Sequence, residues 1–72
     1  MNKVWILEQF DHNAEASAQS TILNVFTNRA SALAWRDRYI REEFDIADDF
    51  DGDLEAEVPD LEFSIHAYYV LD

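Results

Sequence analysis

LEFSIHAYYVL, at residues 61–71, is the segment of this chain with the clearest secondary-structure pattern. Every second residue, from Leu61 to Leu71, is apolar, and the residues between them begin with Glu62, Ser64 and His66. Successive side chains of a strand point to opposite faces, so this period of two predicts a β-strand. We place the last element of the fold here.

A first strand is predicted near the N-terminus, at residues 3–10 (KVWILEQF). Val4 and Ile6 lie on one side of it, with Phe10, while Trp5 and Leu7 lie on the other. Because both sides are apolar in the middle of the segment, we expect a central strand that is covered to some extent on each face.

A second strand is predicted at residues 21–27 (TILNVFT). It is separated from the first by DHNAEASAQS, residues 11–20, whose small and polar composition is typical of a flexible loop. Sequential strands usually lie side by side, so these two are expected to form an antiparallel hairpin.

A helix is predicted from Arg29 to about Phe44, because this stretch holds no Gly or Pro and is rich in Ala. Thr27 or Asn28 can cap its start through a side-chain oxygen. At 100° per residue two nearly opposite faces are apolar, with Ala30, Leu33, Ile40 and Phe44 on one and Ala32, Trp35 and Tyr39 on the other. One face must pack on the sheet; the other is covered by the following segment or is exposed.

The predicted order is β-β-α-β, an α+β fold in one domain of residues 1–72. We expect a three-stranded antiparallel sheet in the order 2-1-3, with the helix on one face. The second face would then stay open, and we assign Trp5, Leu7, Leu23 and Val25 to it. An apolar open face indicates a homodimer or a bound partner.

Residues 42–62 contain eleven Asp or Glu and no Lys or Arg, in a chain with a net charge of −11. The part between helix and last strand, residues 44–60, is called the acidic segment below. Apolar residues recur in it at positions 46, 50, 54 and 58. We predict a loop held by these apolar side chains, with turns at Asp51-Gly52 and Pro59-Asp60 and a short helix near residues 45–50.

The charge and composition also bear on the function class. A strongly acidic chain is repelled by phosphates and anionic lipids, so direct binding to nucleic acid or membranes is not expected. The chain has no cysteine, which favours a reducing compartment. Its N-terminal apolar run, residues 4–7, is too short for a signal peptide or a membrane span. We expect a soluble cytoplasmic protein.

The chain resembles small β-β-α-β domains of bacterial and phage genomes. Their pattern has an apolar first strand, a second strand that ends in Phe before a polar cap and helix, and a last strand of the form F-x-I-x-x-Y-x-L-D. The corresponding pieces here are residues 4–7, residues 25–28, and residues 63–72 with one additional residue after Tyr68. The resemblance implies the fold. In size and charge the chain is also similar to small phage-encoded inhibitors that mimic nucleic acid, which implies an inhibitory function.

No catalytic, cofactor or metal motif is identified. The segment DDFDGD at residues 48–53 resembles a calcium loop, but with Gly52 as the sixth position the first and twelfth are Ala47 and Val58, which are not ligands. His12 and His66 have no Ser, Cys or carboxylate at a spacing that predicts a triad. One helix on three strands offers little concavity for a substrate. We expect a protein that is not an enzyme.

Three functional hypotheses remain, of which the third, a small enzyme or metal-binding domain, has the least support. In the first, the acidic segment enters a basic groove of a partner, most simply a nucleic-acid-binding protein, and blocks it, because carboxylates along a loop can replace phosphates. The predicted partner-binding residues are Asp45, Asp48, Asp49, Phe50, Asp51, Asp53, Glu55 and Glu57. In the second, the protein is a structural homo-oligomer or the small subunit of an assembly, and the acidic segment is only a solvated loop.

The helix arginines, Arg29, Arg36, Arg38 and Arg41, bear on both hypotheses. Some of them are expected to hold the acidic segment through surface ion pairs, each of about 0–1 kcal/mol. Four arginines cannot neutralise eleven carboxylates, so negative charge remains at the surface in either case. On the helix, Trp35 and Tyr39 are interpreted as core residues that face the sheet, with an exposed protein-binding hot spot as the alternative.

Overall fold

The computed structural model describes residues 2–16 and 19–71. Along the chain these residues form β1 (Asn2–Asp11), β2 (Ser20–Phe26), α1 (Arg29–Glu43), a short 3-10 helix at Glu55–Glu57 and β3 (Leu61–Val70). The predicted β-β-α-β order and α+β class are therefore confirmed. None of the helical segments in the described residues has the length and apolar character that crossing a bilayer would require.

The strands form one antiparallel sheet in the order β2-β1-β3, as predicted. The central strand pairs along most of its length with both neighbours, so that Trp5 lies between Phe26 and Ala67. The pairing with β2 shifts register after Leu7, where Leu23 is the additional residue. Such a bulge locally increases the twist of the sheet.

The helix covers the face of β1 that carries Leu7, which is completely buried. The Tyr39 hydroxyl donates a hydrogen bond to Oε1 of Gln9, two residues further along the same face, at 3.2 Å. The rings of Phe26 and Trp35 lie 6.0 Å apart. The expectation that Trp5 and Leu7 populate the open face is therefore wrong, because β1 is apolar on both sides and its pattern does not indicate which side the helix covers.

Helix α1 begins after Asn28, one of the two predicted caps, whose Oδ1 accepts a hydrogen bond from the Ser31 amide at 2.8 Å. It ends at Glu43, with Phe44 as the C-cap. Asp45 follows with φ of 53°, in the left-handed region. The Ile46 amide then donates to the Arg41 carbonyl at 3.0 Å. This is the hydrogen-bond pattern of a Schellman motif, which usually has Gly where this chain has Asp45.

Replacing Asp45 by Gly is expected to raise the free energy of unfolding by about 0.5–1 kcal/mol, because Gly adopts a positive φ without the steric cost of a Cβ atom. Asp45→Ala is the matched control: it removes the same charge but keeps the Cβ atom. Chemical denaturation measures both variants. If the Ala variant gains as much stability as the Gly variant, loss of the charge near the helix C-terminus is the cause and the backbone argument fails.

The two apolar faces of α1 have different partners. Trp35 and Tyr39 pack towards the sheet, while Ile40 is fully buried in a cluster with Leu54 and Val58 of the acidic segment. Ile46 and Phe50 also pack against this cluster. The predicted spacing of apolar positions is thus confirmed. The acidic segment covers the second helix face at Ile40, while Ala30 and Phe44 of the same face are exposed.

The short helix expected near residues 45–50 is not formed. The Phe50 amide donates to the Ala47 carbonyl at 3.1 Å, which closes a turn, and the helical turn of this segment lies later, at Glu55–Glu57. Asp side chains compete for backbone hydrogen bonds and favour turns over helix interiors. The predicted turn at Pro59 is present, with the Leu61 amide donating to the Val58 carbonyl.

Candidate functional site

The acidic segment is held to the end of α1 by one arginine. The Arg41 guanidinium donates to the carbonyl oxygen of Ala47 and, at 2.8 Å, to that of Phe50. Surface ion pairs with carboxylates were expected here. Because Arg41 binds backbone oxygens instead, it fixes the path of the chain and leaves the neighbouring carboxylates of Asp48 and Asp49 exposed to water.

A second arginine forms the ion pairs that were expected. Arg36 contacts Asp37 at 3.0 Å and, at 3.5 Å, Oε1 of Glu55. Both carboxylates are more exposed than the arginine, and pairs of this kind contribute about 0–1 kcal/mol. Of the predicted binding residues, Glu55 is therefore partly neutralised within the fold.

Most of the predicted partner-binding carboxylates are exposed. They are Asp45, Asp48, Asp49, Asp51, Asp53 and Glu57, and together they are called the acidic surface below. Glu55 is half-buried at one side of it. Asp53 has a local role as well, since its Oδ1 accepts a hydrogen bond from the Glu55 amide at 3.0 Å.

Phe50 lies beneath the acidic surface and not on it. Its side chain is half-buried against the cluster around Ile40. Gly52 approaches this ring so closely that a Cβ atom there would lie 2.6 Å from Cζ of Phe50. The absence of a side chain at Gly52 therefore lets the chain fold over the ring, and Phe50 acts inside the fold as an anchor of the segment.

A depression of about 250 Å³ lies where the segment meets the helix. Arg36 and Arg41 line it together with Asp51, Asp53 and Glu55. It therefore places the guanidinium groups among the carboxylates of the segment, in an open and polar setting. A second depression, of about 320 Å³, lies beside Phe26, Trp35 and Arg38.

The structure brings together one pair of side chains that the sequence interpretation missed. Nε2 of His66 and Oγ of Ser64 are 2.9 Å apart on β3. The available signal was the spacing of two residues within a strand, which places both side chains on one face. The pair lies on the open sheet face, and neither residue lines the two depressions described above.

The other histidine joins the first loop to the last strand. His12 Nε2 lies 3.0 Å from Oε1 of Glu62, and the His12 amide donates to the Asp60 carbonyl at 2.9 Å. These contacts tie the beginning of the 11–20 loop to the end of the acidic segment. Within residues 2–16 and 19–71, no group of three or more His, Asp or Glu side chains is arranged to hold a metal ion.

Trp35 and Tyr39 occupy the core position that was the preferred interpretation. Their rings stack at 5.3 Å, and Tyr39 also meets the ring of Phe63 edge-on at 6.3 Å. Burial raises the pKa of the Tyr39 hydroxyl, and the charge of Glu43 raises it further. Both effects disfavour the tyrosinate in the folded protein.

Stability is accordingly expected to fall as the pH rises above about 10, the ordinary pKa of tyrosine. Above that pH the unfolded chain has lost the Tyr39 proton while the folded chain retains it, so the unfolded state binds fewer protons and the free energy of unfolding decreases with pH. Tyr39→Phe should show a smaller decrease between pH 9 and pH 11 in denaturant titrations. An identical decrease in both proteins would contradict this assignment.

In comparisons with known proteins, the chain matches no protein-family model, no curated protein and no solved structure.

Proposed function

We propose that this protein is a non-enzymatic interaction module or inhibitor whose acidic surface occupies the basic, nucleic-acid-binding groove of a partner protein. The observation that carries the proposal is the way the acidic segment is held. Arg41 binds its backbone carbonyls and the Ile40 cluster binds its apolar side chains, while the carboxylates stay exposed. The carboxylates are therefore presented from a backbone that is fixed to the helix.

The anchored backbone supports this function energetically. A segment that is already ordered loses less conformational entropy on binding than a flexible one, so more of the electrostatic attraction is available for affinity. Concentrated negative charge also accelerates the encounter with a positively charged groove. A net charge of −11 is consistent with a protein that approaches basic surfaces and avoids nucleic acid.

The experiment is affinity capture from a cell lysate in the presence and absence of double-stranded DNA. We expect nucleic-acid-binding proteins to be retained, to elute as salt is raised, and to be displaced by DNA, because DNA and the acidic surface would compete for the same groove. The test variant replaces Asp48, Asp49, Asp51 and Asp53 by Asn, which keeps the oxygen of Asp53 that accepts from Glu55.

A control with the same net charge uses acidic residues outside residues 42–62. It carries Gln at Glu8 and Glu15 and Asn at Asp11 and Asp37. Retention that is lost in the test variant and kept in the control supports the acidic surface as the binding site. Equal loss in both variants would indicate a general effect of net charge, and retention that DNA does not displace would exclude a nucleic-acid-binding groove.

A further inference from the structure

The open face of the sheet is apolar and exposed. It carries Ile22 (59% exposed) and Val25 (49%) from β2, and Tyr68 (52%) and Val70 (44%) from β3. Between these strands, β1 contributes Val4, Ile6 and Phe10, which are half-buried. Ile6 pairs with Val25 on one side and with His66 on the other, so the middle of the face is a continuous patch of side chains.

This face also differs in charge from the rest of the molecule. The acidic residues that the three strands contribute to it are Glu8 and Glu62. The acidic segment lies on the opposite side of the sheet, where its apolar residues pack with Ile40 of the helix and with Phe63. The chain therefore has an acidic side and a nearly neutral apolar side.

We propose that a second copy of this chain covers the open face, so that two sheets pack face to face in a symmetric dimer. The size of the face supports this occupant. β1 and β3 have ten residues each and β2 has seven. At about 3.3 Å per residue and about 4.8 Å between strands, they give a face of about 430 Å². Two such faces have a flat area of about 860 Å², and the relief of their side chains brings this towards the roughly 1,200 Å² at the lower end of specific interfaces.

The location of the charge also supports a second copy. In a two-fold dimer the same face meets itself, and these faces hold few charges that could repel. Packed sheets lie about 10 Å apart and each helix adds a further layer of about 10 Å, so the two acidic segments would be about 30 Å apart. That exceeds the Debye length of about 8 Å at physiological ionic strength, and their repulsion is screened.

The small size of the core also supports a dimer. Leu7, Ala32 and Ile40 are completely buried, and Leu54 and Val58 nearly so. A chain of 72 residues buries only about 60% of its unfolded surface, and association is a common way to add to so small a core. Dimerisation through the open face would bury four exposed apolar side chains of the sheet, those of Ile22, Val25, Tyr68 and Val70.

Two neighbouring tyrosines provide a matched test, because Tyr68 lies on the open face and Tyr69, 66% exposed, lies on the other side of the same strand. Tyr68→Glu and Tyr69→Glu make the same chemical change at adjacent positions. The molar mass of the wild type and of both variants is measured by sedimentation equilibrium over a range of concentrations at moderate salt.

We expect the wild type to be a dimer. Tyr68→Glu should raise the dimer dissociation constant by at least about 100-fold, because a symmetric interface carries the change twice. Tyr69→Glu should change this constant by less than about tenfold. A wild-type monomer at every concentration would overturn the proposal, as would equal effects of the two variants. If Tyr68→Glu does not fold by circular dichroism, Val25→Glu is used on the same face, with the same expectations.

Discussion

Replacing Ile40 by Ala is expected to lower the free energy of unfolding by about 2–5 kcal/mol. Ile40 is fully buried, and it is the helix residue against which Leu54 and Val58 of the acidic segment pack. The free energy of unfolding of a stable chain of this length is about 4–11 kcal/mol, from the usual range per residue. The loss is therefore a large part of the total, and the acidic segment should be released from the helix first.

Ile40→Val is the graded control, with an expected loss of about 0.5–1.5 kcal/mol, because it removes one methylene group and keeps the branched shape. Urea titrations followed by circular dichroism measure both variants. If Ile40→Ala loses less than about 1 kcal/mol, the cluster around Ile40 does not hold the segment and the packing described above is not a stabilising feature of the fold.

The fourfold replacement of Asp48, Asp49, Asp51 and Asp53 by Asn is expected to slow association with a captured partner by about 10- to 100-fold at low salt. Steering by a concentrated field raises association rates by about 10 to 10³-fold over the neutral case, and this change removes four of the carboxylates that create the field. The difference from wild type should shrink as salt is added, since the Debye length falls to about 10 Å at 0.1 M.

Stopped-flow mixing at several salt concentrations gives these rates, and the fourfold variant outside the segment serves as the control. We expect the control to associate at least about five times faster than the test variant, because its remaining carboxylates are still concentrated on one surface. If test and control variants associate equally slowly, total charge and not the acidic surface determines the rate.

Much of the fold could be predicted because its signals are local. The alternation at residues 61–71 and the Asn28 cap depend on neighbouring residues, and the four-residue spacing from Ile46 to Val58 placed the apolar contacts of the acidic segment. The covered side of β1 could not be predicted, since Val4 and Ile6 are as apolar as Trp5 and Leu7. Contacts with the helix, such as the hydrogen bond between Tyr39 and Gln9, determine which side of β1 is covered.

The sequence predicted which residues belong to the candidate site, but not how the fold holds them in place. The charge run indicated the predicted partner-binding residues, and all of them except Phe50 and Glu55 are exposed and form the acidic surface. The bonds from Arg41 to Ala47 and Phe50 were missed because a guanidinium can bind a carbonyl or a carboxylate, and the spacing of residues along the chain does not distinguish the two. The left-handed turn at Asp45, which directs the segment back along the helix, has no distinctive signal in a sequence without Gly at that position.

Amide hydrogen exchange in the acidic segment tests most directly whether its backbone is held in place in the free protein. The amides of Ile46, Phe50 and Val58 donate to backbone carbonyls, so we expect them to exchange well below random-coil rates. The amides of Asp48 and Asp49 serve as internal references within the same segment. Exchange of all five amides at random-coil rates would show an unattached loop, and would contradict both the anchored geometry and the function that we propose from it.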